Sequence, residues 1–163
     1  MASHKTCTHK SGFTLVEVLI VFGIFALLVG LSLCIDPNNY RGDAFRAEES
    51  AIVTLLQTAR ADSLNNIDQR PHGVALFPSD HKGSYVIFEG KEYVSRNQAL
   101  DEVLDALYPI AIASTSPTEI DFEQLTGDAM RAGAGYDGDI TLLDTERGAS
   151  VSVHINHEGS ISW

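Results

Sequence analysis

The hydrophobic pattern of the chain is dominated by one apolar segment near the N-terminus. It covers residues 13–35, and Glu17 is the only charged residue in it. A helix of this length spans roughly 35 Å, which is enough to cross the ~30 Å hydrocarbon core of a bilayer. A carboxylate inside a bilayer is costly, so Glu17 indicates a function beyond simple anchoring. We therefore predict a transmembrane helix over residues 13–35.

The residues before this segment, 1–12, are polar and contain Lys5 and Lys10 but no acid. They lack an apolar core of their own, so they do not form a secretory leader of the usual three-part kind. The basic residues predict that this end stays in the cytoplasm and that the chain beyond residue 35 is exported.

The following segment, residues 36–67, has the pattern of an amphipathic helix. Asp36 and Pro37 interrupt the apolar run, and we expect one long helix with a kink or a melted section near Pro37. Over residues 40–66 apolar positions recur at helical spacing, and this face should pack on the domain that follows. The expected buried face is Phe45, Ile52, Leu56, Ala59 and Ser63, with Leu55 beside them, whereas Arg46, Glu48, Glu49, Arg60 and Asp62 lie largely elsewhere.

Residues 68–163 change to the alternating pattern that is typical of strands. One exception is the helical spacing of Leu100, Val103, Leu104 and Leu107, which predicts a short helix over residues 98–107 with Asn97 as its cap. A long helix followed by a run of strands predicts an α+β fold, in which a mainly antiparallel sheet packs on the helix. The expected strands are residues 72–77, 84–89, 110–113, 119–122, 139–143, 150–155 and 160–163.

Composition narrows the possible functions. The formal net charge is −11, and loss of the two leader lysines would make the chain more acidic still. This balance argues against strong non-specific binding of nucleic acid or anionic lipid. The two cysteines, Cys7 and Cys34, lie in the leader and at the end of the apolar segment. Removal of the leader leaves Cys34 alone, so we expect no intramolecular disulfide.

The junction between leader and apolar segment carries a specific motif. Residues 12–17 read GFTLVE and are followed directly by the apolar run. This arrangement resembles the N-terminal signature of type IV prepilins and type II secretion pseudopilins. The resemblance implies that a prepilin peptidase cuts after Gly12 and N-methylates the new terminus at Phe13. It also implies that Glu17 is the glutamate that this family uses in filament assembly.

A physical account of Glu17 stands beside the resemblance. Cleavage after Gly12 would create a free α-amine at Phe13, and such amines have a reference pKa near 8. A buried amine and a buried carboxylate are each expensive alone and tolerable as a pair. Glu17 lies one helical turn from Phe13, so it pairs either with its own terminus or with that of a neighbouring helix. The alternative is a carboxylate at the headgroup level of a simple anchor.

Small residues recur along one side of the apolar segment. Gly23, Ala26, Gly30 and Cys34 are spaced by three and four positions. Such stripes allow close helix packing in lipid. In a run rich in small residues, the same spacing also arises by chance.

Later parts of the chain show a second, more diffuse resemblance, to H-type pseudopilins and related minor pilins. It rests on an Ala-Arg turn at residues 59–62, an Ile-x-Phe strand at residues 120–122 and Gly-x-Ile at residues 159–161. A minor filament component is what this resemblance implies.

Two further patterns suggest ligand sites and are set aside. Residues 133–138 spell GxGxxG, but a dinucleotide fingerprint needs a following helix, and residues 139–143 read as a strand. Asp137, Asp139 and Asp144 offer ligands for Ca²⁺ without the spacing of an EF-hand.

The histidines do not suggest a shared metal site. His154 and His157 should point to opposite faces of a strand, and His72 and His81 are expected in loops. We expect no metal and no cofactor.

The predicted function is that of a structural filament subunit rather than an enzyme. Its expected partners are a prepilin peptidase, other pilins or pseudopilins, an inner-membrane assembly platform and the membrane itself. The protein would cross the inner membrane once, with its C-terminal domain periplasmic or extracellular, before entering a pilus or pseudopilus. Two alternatives remain: a membrane-anchored binding module that never polymerises, and a DNA-binding minor pilin used in competence.

Overall fold

The computed structural model describes residues 14–32 and 37–163, and its chain divides into two compact units, Met1–Tyr40 and Arg41–Trp163. Helix α1 covers Leu15–Ser32 and helix α2 covers Pro37–Leu64. A proline suits the first turn of a helix, because the N–H it lacks would have no partner there. The kink expected near Pro37 falls on residues 33–36, which lie outside the described residues.

Helix α2 buries the face that its sequence predicts. Phe45, Ile52, Leu56 and Ala59 are buried, and Ser63 continues the same face at the C-terminal end. Because these positions recur at helical spacing, they form one apolar stripe against the rest of the second unit.

The strands form two antiparallel sheets. The first sheet has the order β3-β2-β1-β5-β6-β7, and the second has the order β10-β9-β8-β4. This arrangement confirms the predicted α+β fold with mainly antiparallel sheets. The strands are β1 His72–Leu76, β2 Ser84–Glu89, β3 Glu102–Asp105, β4 Ile110–Ile112, β5 Glu119–Phe122, β6 Ala129–Arg131, β7 Ala134–Gly135, β8 Gly138–Asp144, β9 Ser150–Ile155 and β10 Ile161–Ser162.

One hydrophobic core joins α2 to both sheets. Alternate residues of each strand enter it, because successive side chains of a strand point to opposite faces. The first sheet contributes Val74, Leu76, Tyr85, Ile87, Ile120 and Phe122, and the second contributes Ile140, Leu142, Val153 and Ile155.

The opposite face of the first sheet carries a smaller cluster of Ala75, Val86, Phe88 and Tyr93. The guanidinium of Arg96 lies 3.4 Å from the centre of the Tyr93 ring. Arg96 also forms ion pairs with Asp80 at 2.7 Å and with Asp101 at 2.8 Å. The hydrogen bond from Arg96 is the main reason that the pKa of Asp80 falls to about 2. These contacts attach the segment after β2 to the outside of the sheet.

The helix predicted over residues 98–107 is wrong. Only Gln98–Leu100 form a single 3₁₀ turn, in which the side chain of Asn97 accepts a hydrogen bond from the Ala99 N–H. Residues Glu102–Asp105 instead form β3, an edge strand paired with β2. Val103 and Leu104 are exposed, so their helical spacing does not mark a buried face. Backbone pairing with β2 therefore outweighs the local pattern.

Two predicted exposures are also corrected. Glu48 was expected away from the buried face, yet it is 4% exposed and accepts hydrogen bonds from the Tyr85 hydroxyl at 2.8 Å and the Leu107 N–H at 3.3 Å. Burial and the neighbouring Glu48 carboxylate raise the pKa of Tyr85, so its hydroxyl stays a donor. His72 was predicted as the first residue of a strand and was also considered as a loop histidine; it lies buried in β1, so the strand prediction is confirmed and the loop assignment is wrong.

We predict that Gly159→Ala strongly destabilises the second unit. Gly159 has φ +73°, and an added Cβ would overlap the Gly127 carbonyl oxygen and lie 2.7 Å from Arg60 Nε. Strain and overpacking together should lower the free energy of unfolding by about 2–4 kcal/mol in thermal or denaturant unfolding. Gly133→Ala is the matched control, because Gly133 has φ +75° with no atom near the added Cβ. Equal losses in the two variants would contradict the packing argument.

Candidate functional site

Helix α1 exposes all of its apolar side chains. Its 18 residues, Leu15–Ser32, include none that is buried. The helix is long and apolar enough to be a candidate membrane span, and it extends for about 27 Å. An exposed apolar surface of this size is typical of a site that interacts with a membrane or with other proteins.

The first turn of α1 shows how Glu17 is held. The Glu17 N–H donates to Thr14 Oγ1 at 3.3 Å, and the Val18 N–H donates to the Thr14 carbonyl oxygen at the same distance. Thr14 is therefore the N-cap, and Thr14–Leu15–Val16–Glu17 has the spacing of a capping box. A carboxylate in this turn is also favoured by the positive end of the helix dipole. The sequence prediction missed Thr14, although the Thr-x-x-Glu spacing would have revealed it.

The other predicted site residues of the N-terminal motif are only partly described. Gly12 and Phe13, the predicted cleavage and methylation positions, lie outside the described residues, as does Cys34. Gly23, Ala26 and Gly30 all lie on the exposed surface of α1. A Cβ added to Gly23 would meet no atom within 4 Å, so close approach by another helix is sterically open there.

The comparison with protein families agrees with this geometry. Residues 7–33 match the prokaryotic N-terminal methylation motif. The chain carries the hallmark of type IV pilins and pseudopilins. No curated protein and no solved structure matches this pilin-like chain. The motif and the exposed apolar helix fit a membrane-anchored pilin, and the family that the motif marks is structural rather than enzymatic.

The fold brings together two of the segments that carry the second resemblance. Arg60 Nη2 donates to the Glu158 carbonyl oxygen at 2.9 Å, and Arg60 Nε donates to the Gly127 carbonyl oxygen at 3.3 Å. The Ala-Arg turn at the end of α2 therefore packs against the last hairpin, next to Gly159. The third segment, residues 120–122, lies within β5. The H-type subtype itself stays a prediction.

The three aspartates considered for Ca²⁺ do not form one site. His154 Nδ1 lies 2.9 Å from Asp139 Oδ1, and His154 Nε2 lies 3.7 Å from Asp137 Oδ1. Asp144 lies at the far end of β8, roughly 16 Å along the strand from Asp139. There the side chain is buried, and Asp144 Oδ1 accepts hydrogen bonds from the Tyr108 hydroxyl and two backbone N–H groups. Asp144 is therefore a structural acid, separate from the other two.

The GxGxxG segment forms part of a hairpin. Ala132 and Gly133 have φ 49° and 75° and connect β6 to β7. Positive φ at both central residues is typical of a tight two-residue turn. The segment after it is β8, as predicted, so the turn is not followed by the helix that a dinucleotide fingerprint requires.

Asp121 is a buried acid whose pKa is raised well above the usual value of an aspartate. It is 4% exposed and lines a depression of about 220 Å³ together with Lys91, Glu123 and Gly133. Burial raises the pKa of Asp121 to about 6, with a smaller contribution from the nearby Glu119 and against an opposing backbone hydrogen bond. The folded chain therefore keeps a proton on Asp121 over a pH range in which the unfolded chain has already lost it.

We predict that Asp121→Asn stabilises the protein at neutral pH. Between about pH 4 and pH 6 the native state binds more protons at Asp121 than the unfolded state does. The contribution of Asp121 to the free energy of unfolding therefore falls as the pH rises. Removing the charge should increase the free energy of unfolding by about 1–3 kcal/mol at neutral pH, with no gain near or below about pH 4. Denaturant unfolding measured across this range tests the profile.

The control for net charge is Glu123→Gln, which changes an exposed acid beside the same depression. A stability gain of similar size in that variant, or an Asp121→Asn gain that persists unchanged in acid, would show that burial of Asp121 is not the cause.

Proposed function

We propose that this protein is a structural subunit of a type IV pilus-like or type II secretion pseudopilus filament. The observation that carries this proposal is α1: an apolar helix that lies within the methylation motif and has no buried residue of its own. A subunit that anchors in a membrane and then enters a helical bundle needs such a surface. An exposed apolar helix would also suit a non-polymerising anchor, so the methylation motif is what favours a filament subunit over that alternative. The formal net charge of −11 disfavours a DNA-binding subunit.

The proposed path begins in the inner membrane. Residues 1–12 form a cytoplasmic leader, residues 13–35 anchor the chain, residues 36–67 are the amphipathic segment that contains α2, and residues 68–163 form the exported head. A prepilin peptidase removes the leader after Gly12 and methylates Phe13. An inner-membrane assembly platform then moves the processed subunit into the growing filament.

Filament formation would exchange lipid contacts of α1 for contacts with other α1 helices. Lipid tails are as apolar as leucine, so close packing and polar pairing favour association more than the hydrophobic effect does. Gly23, Ala26 and Gly30 provide a narrow side for close approach. Glu17 provides the polar group, since the new α-amine at Phe13 of a neighbour would neutralise it.

We predict that co-expression with a prepilin peptidase shortens the protein by residues 1–12. The motif and the uncharged junction after Gly12 are the basis for this expectation. Intact-mass spectrometry of the membrane fraction should show loss of the leader and one added methyl group on Phe13. Gly12→Leu, which blocks the small position before the cut, is the control and should keep its full mass. An unprocessed wild-type chain in the presence of active peptidase would support the non-polymerising anchor.

We predict that Glu17→Gln impairs filament incorporation while membrane insertion stays normal. Glutamine keeps the shape of the side chain and suits a capping box, so this variant removes the charge alone. Incorporation should fall at least about tenfold, because an unpaired buried amine costs several kcal/mol. Quantitative immunoblotting of sheared filaments and membranes measures both steps.

The matched variant is Thr14→Val, which keeps the Glu17 charge and removes the Oγ1 that caps α1. It should be processed and incorporated nearly as well as the wild type. Loss of incorporation in Thr14→Val with none in Glu17→Gln would assign the role to helix capping and reject the charge pair.

A further inference from the structure

We propose that Asp68, His72 and Glu89 bind a divalent transition-metal ion such as Zn²⁺. Each of the three side chains offers one ligand atom, and these atoms lie within 4.8 Å of one another. All three residues belong to the second unit, Arg41–Trp163. The site is independent of the proposed filament role, which depends on the N-terminal helix.

Regular backbone structure fixes two of the ligands. His72 and Glu89 are directly opposite each other in the β1–β2 ladder, so their side chains project from the same face of the sheet. The His72 N–H donates to Ser63 Oγ at 2.8 Å, and the Gly90 N–H donates to the Pro71 carbonyl oxygen at 2.8 Å. These bonds hold both strand ends where α2 meets the sheet.

The third ligand comes from an unusual turn. Asn66, Asp68 and Gln69 have φ values of 56°, 51° and 56° in the connection from α2 to β1. Left-handed backbone at non-glycine residues costs energy and persists where the surroundings require it. The turn brings the Asp68 carboxylate to the buried His72 and Glu89, and a bound ion would stabilise that conformation.

Two buried polar atoms without hydrogen-bond partners in the described part of the chain support a cation site in this cluster. His72 and Glu89 are 5% and 8% exposed. His72 Nδ1 and Glu89 Oε2 are buried and have no hydrogen-bond partner among the residues that the structure describes. Within the same residues, Glu89 forms no ion pair. Buried polar groups are nearly always satisfied, so two orphan atoms in one cluster need an explanation.

The donor set indicates the class of ion. One imidazole nitrogen and two carboxylates suit Zn²⁺ and similar transition ions, whereas Ca²⁺ and Mg²⁺ prefer oxygen ligands throughout. Two carboxylates balance the charge of a divalent cation. Bond lengths of about 2.0–2.2 Å require the ligand atoms to come somewhat closer together, which side-chain rotation can supply. The exposed Asp68 provides the entry route, and a water molecule would complete four ligands.

The test is zinc titration of the full-length protein in detergent, without an affinity tag and after removal of metal with a chelator. Isothermal titration calorimetry with zinc chloride should detect one site that is weakened about 10- to 100-fold or more in both Asp68→Asn and Glu89→Gln. Zinc should also raise the melting temperature of the wild type more than that of either variant. The Asp68→Asn variant should fold normally, because asparagine tolerates left-handed backbone.

The matched control is His154→Gln, which alters the histidine that lies beside Asp137 and Asp139. This variant should bind zinc as the wild type does. Any binding by His4, Cys7 or His9 in the leader is common to all variants and cancels in the comparison. Undiminished zinc affinity and stoichiometry in Asp68→Asn would overturn the proposal, as would a loss confined to His154→Gln. Tighter binding of calcium chloride than of zinc chloride would reject the assigned class of ion.

Discussion

The second unit depends on one constraint, which is that the apolar face of α2 must be covered by both sheets at once. Phe45, Ile52 and Leu56 belong to a single core together with residues of the first and second sheets. A helix of this amphipathic kind gains most of its stability from packing rather than from intrinsic propensity. Neither sheet is large, and each buries its inner face against the same helix. The register of the strands that contribute to this core is therefore tied to the helix, because a one-residue slip would turn their apolar residues outward.

Helix α1 differs from α2 in how its apolar residues are distributed and covered. It is apolar all round and has no buried residue, whereas α2 is apolar along one stripe and is well covered. Helix α2 is therefore suited to water on one side only, whereas the surface of α1 is suited to lipid or other helices on every side. Thr14 caps α1 by accepting a hydrogen bond from the backbone N–H of Glu17. This capping is compatible with the proposed role of Glu17 in assembly, because that role uses its carboxylate.

Buried acids distinguish the second unit from a simple apolar core. Glu48 and Asp144 are both buried, and each accepts hydrogen bonds from a tyrosine hydroxyl and from one or two backbone N–H groups, although Asp144 Oδ2 has no partner among the described residues. Such bonds offset the cost of removing a carboxylate from water. Burial raises the pKa of Asp121, and a backbone hydrogen bond opposes that shift. Glu89 is also incompletely satisfied, since its Oε2 has no hydrogen-bond partner among the described residues, and it lies in the proposed cation site.

By itself, the sequence determined the apolar helix, the amphipathic helix, most strands and the N-terminal motif, because each depends on local periodicity or on adjacent residues. Only the tertiary structure decided the secondary structure of residues 98–107, because the pairing of β3 with β2 outweighed the helical spacing of the apolar residues. It also decided the burial of Glu48, which depends on the distant Tyr85 and Leu107, and the meeting of Asp68 and His72 with Glu89. The physical reason is common to all three cases. Burial and coordination depend on residues that are far apart in the chain, and a pattern along one segment contains no information about its partner.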